Sequence, residues 1–440
     1  MENISLKKKV IAVVMSFSMV LSFVGCSNSS SDDNSSNVSN TSDTTSSTDA
    51  QEPTIDKTTF DDMDNTDLIY NMQIGWNLGN QLEASNNGNP DETVWGNPTI
   101  TQELISSIAD AGFKTIRIPV SYLKKIDDEN NYTVDEDWLN RVQEVVDYCY
   151  NEGLYIIINM HGDGYNTVNG SWLLVNGDDQ DYICKKYETV WKQIAEKFKE
   201  YDEHLIFESM NEECDDTYDD PNPDYYANLN KYNQIFVDTI RATGDNNAQR
   251  WLLVPGWNTN IDYTVGDFGF KLPTDSAKDK LIVSVHYYDP YDYALKEDLF
   301  ATGWGLGGKR AVNWGNEDYV EQQFQKLEDA FISKNIPVII GEYGAIFKTQ
   351  NGVWADEDSH RYYLEYVTKS AKEHGLLPVY WDNGWNGDYG FSLFDRNTGE
   401  QQHPNFVDAI IRASENQDYT IELPENYDAS KLEEVMATQN

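Results

Sequence analysis

Eight short apolar runs, each followed by a polar loop and then a helical pattern, predict an α/β fold of the (β/α)8 TIM-barrel type. Two further observations favour the barrel over a doubly wound sheet. The runs recur roughly 40 residues apart, and no glycine-rich phosphate loop follows the first of them. Residues 75–79 (Gly-Trp-Asn-Leu-Gly) carry glycines, but Trp76 and Leu78 would block the approach of a pyrophosphate. No boundary interrupts 57–416, so this stretch reads as one domain.

The runs lie at 73–77, 115–120, 154–160, 205–210, 251–255, 281–286, 337–341 and 377–381. Ile156-Ile157-Ile158 and Val338-Ile339-Ile340 are continuous and β-branched, the pattern of strands covered on both faces. Amphipathic stretches at 101–111, 137–150, 182–198, 226–241, 317–333 and 359–374 predict helices between them. Gly112, Gly153, Gly244 and Gly375 follow four of these, where a left-handed residue ends a helix. The link between the fifth and sixth runs has no clear helical period.

Outside the domain the chain reads differently. Lys7, Lys8 and Lys9 precede an apolar stretch over 10–24, a secretory signal too short for the ~20 residues that span a bilayer. Phe23-Val24-Gly25-Cys26 resembles a bacterial lipobox, so residues 1–26 are expected to end in a lipidated Cys26, the chain's one link to a membrane. From Ser27 to Ala50 every residue except Val38 and Ala50 is Ser, Thr, Asn or Asp, so 27–56 is expected to be a disordered linker. Residues 417–440 form an acidic extension to which the sequence assigns no structure. Cys149, Cys184 and Cys214 allow at most one disulfide among themselves and match no metal spacing, so three plain thiols are expected.

The formal net charge is −43, most of it within 57–416, which repels phosphate backbones and excludes a nucleic-acid partner. Aromatic residues make up 13% of the chain, which excludes an acidic disordered protein. What remains is an exported, acidic globular monomer with an uncharged or cationic ligand.

In a barrel the active site is built at the C-terminal ends of the strands. Those ends supply Asn77, Arg117, His161, Asn211, Glu212, Trp257, His286, Tyr288, Glu342 and Trp381. So many polar groups at the rim of a core are costly unless they are used. Glu212 and Glu342 follow the fourth and seventh runs, on opposite sides of the mouth. Paired carboxylates across a cleft are what glycoside hydrolysis needs, one to protonate the leaving oxygen and one to attack or to activate water. Asn211 is placed to bind a sugar 2-hydroxyl, Arg117 and Tyr288 to hold Glu342 ionised, and His161 and His286 to bind hydroxyls or manage protons. Trp381 is the expected platform at the cleavage point, with Trp76, Trp257, Trp304, Trp314 and Trp385 as outer stacking surfaces. His161-Gly162-Asp163 offers too few ligands for a metal, and no cofactor is expected.

The motifs at 74–80 (IGWNLGN), 115–119 (TIRIP), 159–161 (NMH), 207–212 (FESMNE), 286–288 (HYY), 340–344 (IGEYG) and 380–384 (YWDNG) resemble glycoside hydrolase family 5, and within it subfamily 4, over roughly 60–416. The resemblance implies a (β/α)8 barrel and a retaining endo-β-1,4-glucanase acting on cellulose-type glucans, mixed-linkage glucan or xyloglucan, with xylan or mannan as the alternative substrates. The family's hallmark positions fall on Arg117, His161, Asn211, Glu212, His286, Tyr288, Glu342 and Trp381. They imply that Glu212 is the acid/base and Glu342 the nucleophile, with carboxyl groups about 5–5.5 Å apart. Gly162 stands where many members carry a second histidine, which removes a sugar contact. A tethered binding protein that has lost activity is argued against by the presence of both carboxylates.

Overall fold

The computed structural model describes residues 60–427 apart from 62, 218, 416 and 426. The expected export signal, Cys26 and the linker lie outside the described residues, as does the acidic extension from 428 onward.

The elements, in chain order, are helix α1 (Asn65–Met72), strand β1 (Gly75–Leu78), α2 (Gln102–Asp110), β2 (Thr115–Ile118), α3 (Glu136–Asn151), β3 (Tyr155–Ile158), α4 (Gln180–Phe198), β4 (Leu205–Glu208), α5 (Pro223–Ala242) and β5 (Leu252–Pro255). There follow α6 (Ile261–Val265), β6 (Leu281–Tyr287), α7 (Tyr291–Ala294), α8 (Glu317–Ala330), β7 (Val338–Tyr343), α9 (Glu357–Glu373), β8 (Leu377–Asp382) and α10 (Pro404–Ser414). The eight strands are parallel and close on themselves in the order β1-β8-β7-β6-β5-β4-β3-β2, so each predicted run is a barrel strand. Helices α1, α7 and α10 were not anticipated, and the unclear link between β5 and β6 holds the short α6 after a single 3-10 turn.

Local chemistry fixes the helix ends. Asp64, Thr101, Asp135, Asp179, Asn222, Asn260 and Asp356 each accept a backbone N–H from the first turn of the helix they precede. Gly112, Gly153, Gly244 and Gly375 adopt φ between +70° and +108° just past α2, α3, α5 and α9, where a side chain would be strained.

Strand alternation then sorts the core into two layers. Ile116, Ile118, Ile156, Ile158, Val254, Val283 and Val285 join the layer between barrel and helices. Ile157, Ile206, Leu253, Ile282, Ile339, Leu377 and Val379 form a separate cluster with Leu68 and Met72 of α1. Helix α1 therefore plugs the N-terminal end of the barrel, and each such buried aliphatic contributes about 1.5–3 kcal/mol. One step further along the strands, the inward positions turn polar.

Of the acidic extension, the described residues 417–425 and 427 lie against α9. The Tyr419 hydroxyl donates to Glu365 Oε1 at 3.0 Å, and the Tyr427 ring sits 5.4 Å from that of Tyr362. Cys149, Cys184 and Cys214 are buried free thiols. No helix among the described residues is long and apolar enough to cross a membrane.

Candidate active site

The polar layer is organised by one guanidinium. Arg117 on β2 is fully buried, and its Nε donates to Glu208 Oε2 at 2.7 Å. One terminal nitrogen donates to Glu342 Oε1 at 2.9 Å and to Asn77 Oδ1 at 3.0 Å, and the other to Asn211 Oδ1 at 2.7 Å. Burial works against its charge, but Glu208 and Glu342 outweigh that and keep Arg117 a permanent cation. Asn77 also donates to the Gly341 carbonyl at 2.8 Å, so this residue, wholly inside the barrel, supports the site from below.

The two carboxylates meet above this floor. Strands β6 and β7 pair evenly up to Val285 and Ile340; then His286 faces Glu342, leaving Gly341 as an extra residue that re-aims the end of β7. A Cβ at Gly341 would lie 3.1 Å from His286 Nε2, so the missing side chain makes room for the imidazole. Glu342 Oε2 accepts the Tyr288 hydroxyl at 3.0 Å. Glu212 Oε1 lies 2.7 Å from His286 Nδ1, and its Oε2 accepts the Tyr165 hydroxyl at 3.0 Å. His286 Nδ1 is 3.6 Å from Glu342 Oε2, and one oxygen of each glutamate lies within 4.8 Å of the other and of the imidazole. Three such ligand atoms are also a set that a cation could approach; the 2.7 Å contact from His286 to Glu212 is a hydrogen bond.

Burial raises both carboxyls, and which one holds the pair's proton depends on His286. With an imidazolium there, its hydrogen bond and charge take Glu212 below the ordinary carboxylate range, while burial leaves Glu342 above it. His286 Nε2 is buried without a partner, so the neutral tautomer with its proton on Nδ1 is the form that leaves no N–H unpaired. In that form both carboxyls lose the imidazolium charge, and Arg117 then acts on both, through a hydrogen bond only on Glu342.

His161 and Trp381 form one wall, their rings stacked 6.1 Å apart at 11°. Burial, then the charge of Arg117, drives the His161 pKa well down, so it is a neutral ring. Gly162 donates its N–H to Ser121 Oγ, and a Cβ there would fall 2.5 Å from that oxygen, so a second histidine does not fit without moving Ser121.

The structure brings together Asn77, Arg117, His161, Asn211, Glu212, His286, Tyr288, Glu342 and Trp381. Trp257 is a correction. Expected as an outer stacking surface, it is 1% exposed and packs on the Tyr226 ring at 5.7 Å, because the loop after β5 folds inward against α5. Trp76 and Trp304 are also buried, their indole N–H groups bonded to Asp382 Oδ2 and the Gly315 carbonyl. Trp314 is half-buried and meets the Tyr319 ring edge-on. Trp385 stays 49% exposed, and Trp95, which the sequence did not single out, is exposed to the same 49%. Their loops are tied together by Asn97, which donates to the carbonyls of Asn80 and Asn383. Tyr165 and Glu208 were missed as well. A lone tyrosine in a loop gives no signal, but a carboxylate inside the apolar run 205–210 did.

Comparison with known proteins agrees with this geometry. Residues 79–387 match the family model for cellulase (glycosyl hydrolase family 5). Endoglucanase A of Paenibacillus barcinonensis is 53% identical over 360 residues, covering 78% of this chain and 89% of that protein. The xyloglucan-specific endo-β-1,4-glucanase of Bacteroides ovatus is 36% identical over 372 residues, covering 81% and 72%. A ligand-bound family 5 xyloglucanase structure from Paenibacillus pabuli superposes with a TM-score of 0.77 at 53% identity, over 79% of this chain and 99% of that one. The chain belongs to glycosyl hydrolase family 5, a family of retaining hydrolases.

Proposed function

We propose that this chain cleaves internal β-1,4-glucosidic bonds of β-glucans, xyloglucan among them, by double displacement on Glu342 and Glu212. The observation that carries the reading is the approach of the two carboxylates, with oxygens within 4.8 Å of each other across the open mouth. Retaining enzymes hold their carboxyl groups about 5–5.5 Å apart, whereas inverting ones need about 6.5–9.5 Å to admit a water.

Glu342, held by Arg117 and Tyr288, attacks the anomeric carbon as the anion. Glu212 gives its proton to the departing glycosidic oxygen, then accepts one from the water that releases the glycosyl-enzyme. Asn211 donates to the sugar 2-hydroxyl, and Trp381 supports the ring at the cleavage point. Every one of these groups comes from a single chain, so the reading needs no second copy.

Reducing-sugar release from xyloglucan, barley glucan, carboxymethyl cellulose, xylan and mannan tests the substrate class. Release from xylan or mannan alone would overturn the glucan reading. Glu342→Gln should abolish turnover while leaving glucan binding intact, and activity near wild type would remove Glu342 from its role.

The same proposal extends to placement. A basic start, a short apolar stretch and Cys26 ahead of a Ser/Thr/Asn/Asp linker support a lipid-anchored catalyst at the cell surface. Cys26→Ser should release the protein from the membrane fraction, and unchanged association would rule the anchor out.

A further inference from the structure

Tyr165 lies on the loop after β3, whose backbone is firmly held. The Asp163 carboxylate accepts the N–H groups of Tyr122 and Leu123 and the Trp172 indole N–H at 2.7–2.8 Å. Gly164 lies so close against the Glu213 side chain that a Cβ would clash with it. The Val168 N–H and the Ser171 hydroxyl both donate to the Tyr165 carbonyl. The tyrosine ring, by contrast, is only half-buried and lies 6.5 Å from His161.

The direction of every hydrogen bond through its hydroxyl is forced. A guanidinium only donates, so Asn211 must turn Oδ1 toward Arg117 and Nδ2 toward Tyr165, 2.6 Å away. The Tyr165 oxygen is therefore an acceptor on that side, and its one proton goes to Glu212 Oε2 at 3.0 Å. The chain Arg117, Asn211, Tyr165, Glu212 thus runs one way and ends on a carboxylate. Its two links next to the sugar, Asn211 Nδ2 and the Glu212 carboxyl, are the groups the proposed mechanism reserves for the 2-hydroxyl and the glycosidic oxygen.

We infer that Tyr165 is a positioning residue whose hydroxyl engages Asn211 and Glu212 in the free enzyme and hands both over when the sugar arrives. This rests on the proposed role of Glu212 as acid/base. While in place, Tyr165 accepts from the Asn211 amide that Arg117 has oriented, and it favours anionic Glu212, since it donates to that form. The other titratable groups facing Glu212 are His286 on β6, Tyr288 just after it, Glu342 on β7, Arg117 on β2 and Cys214 two residues along the chain. None of them depends on Tyr165 for its own placement beside Glu212.

The test separates free from occupied enzyme. The profile of kcat/KM reports groups in the free enzyme, and that of kcat reports the complex. Tyr165→Phe on barley glucan should move the basic limb of kcat/KM upward by about one pH unit, the effect of losing a hydrogen bond to a charged group. The basic limb of kcat should stay where it is. An unmoved kcat/KM limb, or an equal movement in both profiles, overturns the handover. Glu212→Gln run in parallel should lose the basic limb on glucan altogether; if it keeps that limb, the acid/base reading of Glu212 has failed, and Tyr165 is not the cause.

Discussion

Glu208 offers the sharpest test of how the site is held together. It is fully buried, accepts Arg117 Nε at 2.7 Å and Asn159 Nδ2 at 3.1 Å on Oε2, and accepts the Ser284 hydroxyl at 2.8 Å on Oε1. Glu208→Gln keeps the shape and both bonds on Oε2 if the amide oxygen takes that place, and the Ser284 hydroxyl can turn to accept from the new NH2. The substitution therefore removes charge and little else. Breaking a buried ion pair on one side costs about 3–5 kcal/mol, and with the hydrogen bonds kept the lower end applies. For a folded unit of roughly 370 residues, unfolding entropy converts about 3 kcal/mol into a melting point about 4 °C lower.

The second consequence is chemical. Arg117 now divides its charge between Glu208 and Glu342. Without Glu208 its pull falls on Glu342, which burial otherwise raises, so the Glu342 pKa drops. Activity is lost as pH falls through that pKa, so the acid limb of kcat/KM should move to lower pH. A unit charge at ~4 Å is worth about 4 kcal/mol at an effective dielectric of 20. With the guanidinium between the two carboxylates about a third of that acts, or about one pH unit. Calorimetry and a pH profile on barley glucan measure both effects. A melting point within 1 °C of wild type together with an unmoved limb would refute the shared-cation argument, and a limb moving upward would refute its sign.

Tyr288→Phe should move the same acid limb the other way, upward by about one unit, because it removes a donor that favours anionic Glu342. Trp257→Ala should cost about 3–5 kcal/mol of stability while leaving KM within twofold, since this indole is core and touches no cleft; a raised KM at unchanged melting temperature would return it to the substrate surface. Trp381→Ala should do the reverse, raising KM at least tenfold while shifting the melting point by less than 2 °C, measured by steady-state kinetics and calorimetry.

The fold was legible because parallel barrel strands are buried on both faces and so appear as unbroken apolar runs. Polar residues at their C-terminal ends then had nowhere to point but the mouth. Loops carry no such periodicity. Trp257 and Trp385 follow strands in the same way, yet one packs on Tyr226 and the other stands half in solvent, a difference set by tertiary contacts of α5 and the β8 loop. Helix α1 escaped notice because eight residues carry barely two turns of pattern, and α10 because it follows the last strand after a long irregular stretch. Tyr165 was invisible for a deeper reason: its importance lies in where a pinned loop aims a hydroxyl, and nothing in a local window of sequence encodes that.

In a chain whose acids outnumber its bases by more than two to one, the polar layer at the mouth is built around a fully buried cation. A lysine at 117 would supply the charge but one nitrogen, whereas the guanidinium addresses Glu208, Glu342, Asn77 and Asn211 through three nitrogens fixed in one plane. That geometry ties β1, β2, β4 and β7 to a single rigid group, and it imposes a direction on each amide it meets. Asn211 is oriented by Arg117, Tyr165 by Asn211, and the Glu212 proton acceptor by Tyr165. The order of the mouth is therefore set from the floor of the barrel upward, and the acidic surface takes no part in it.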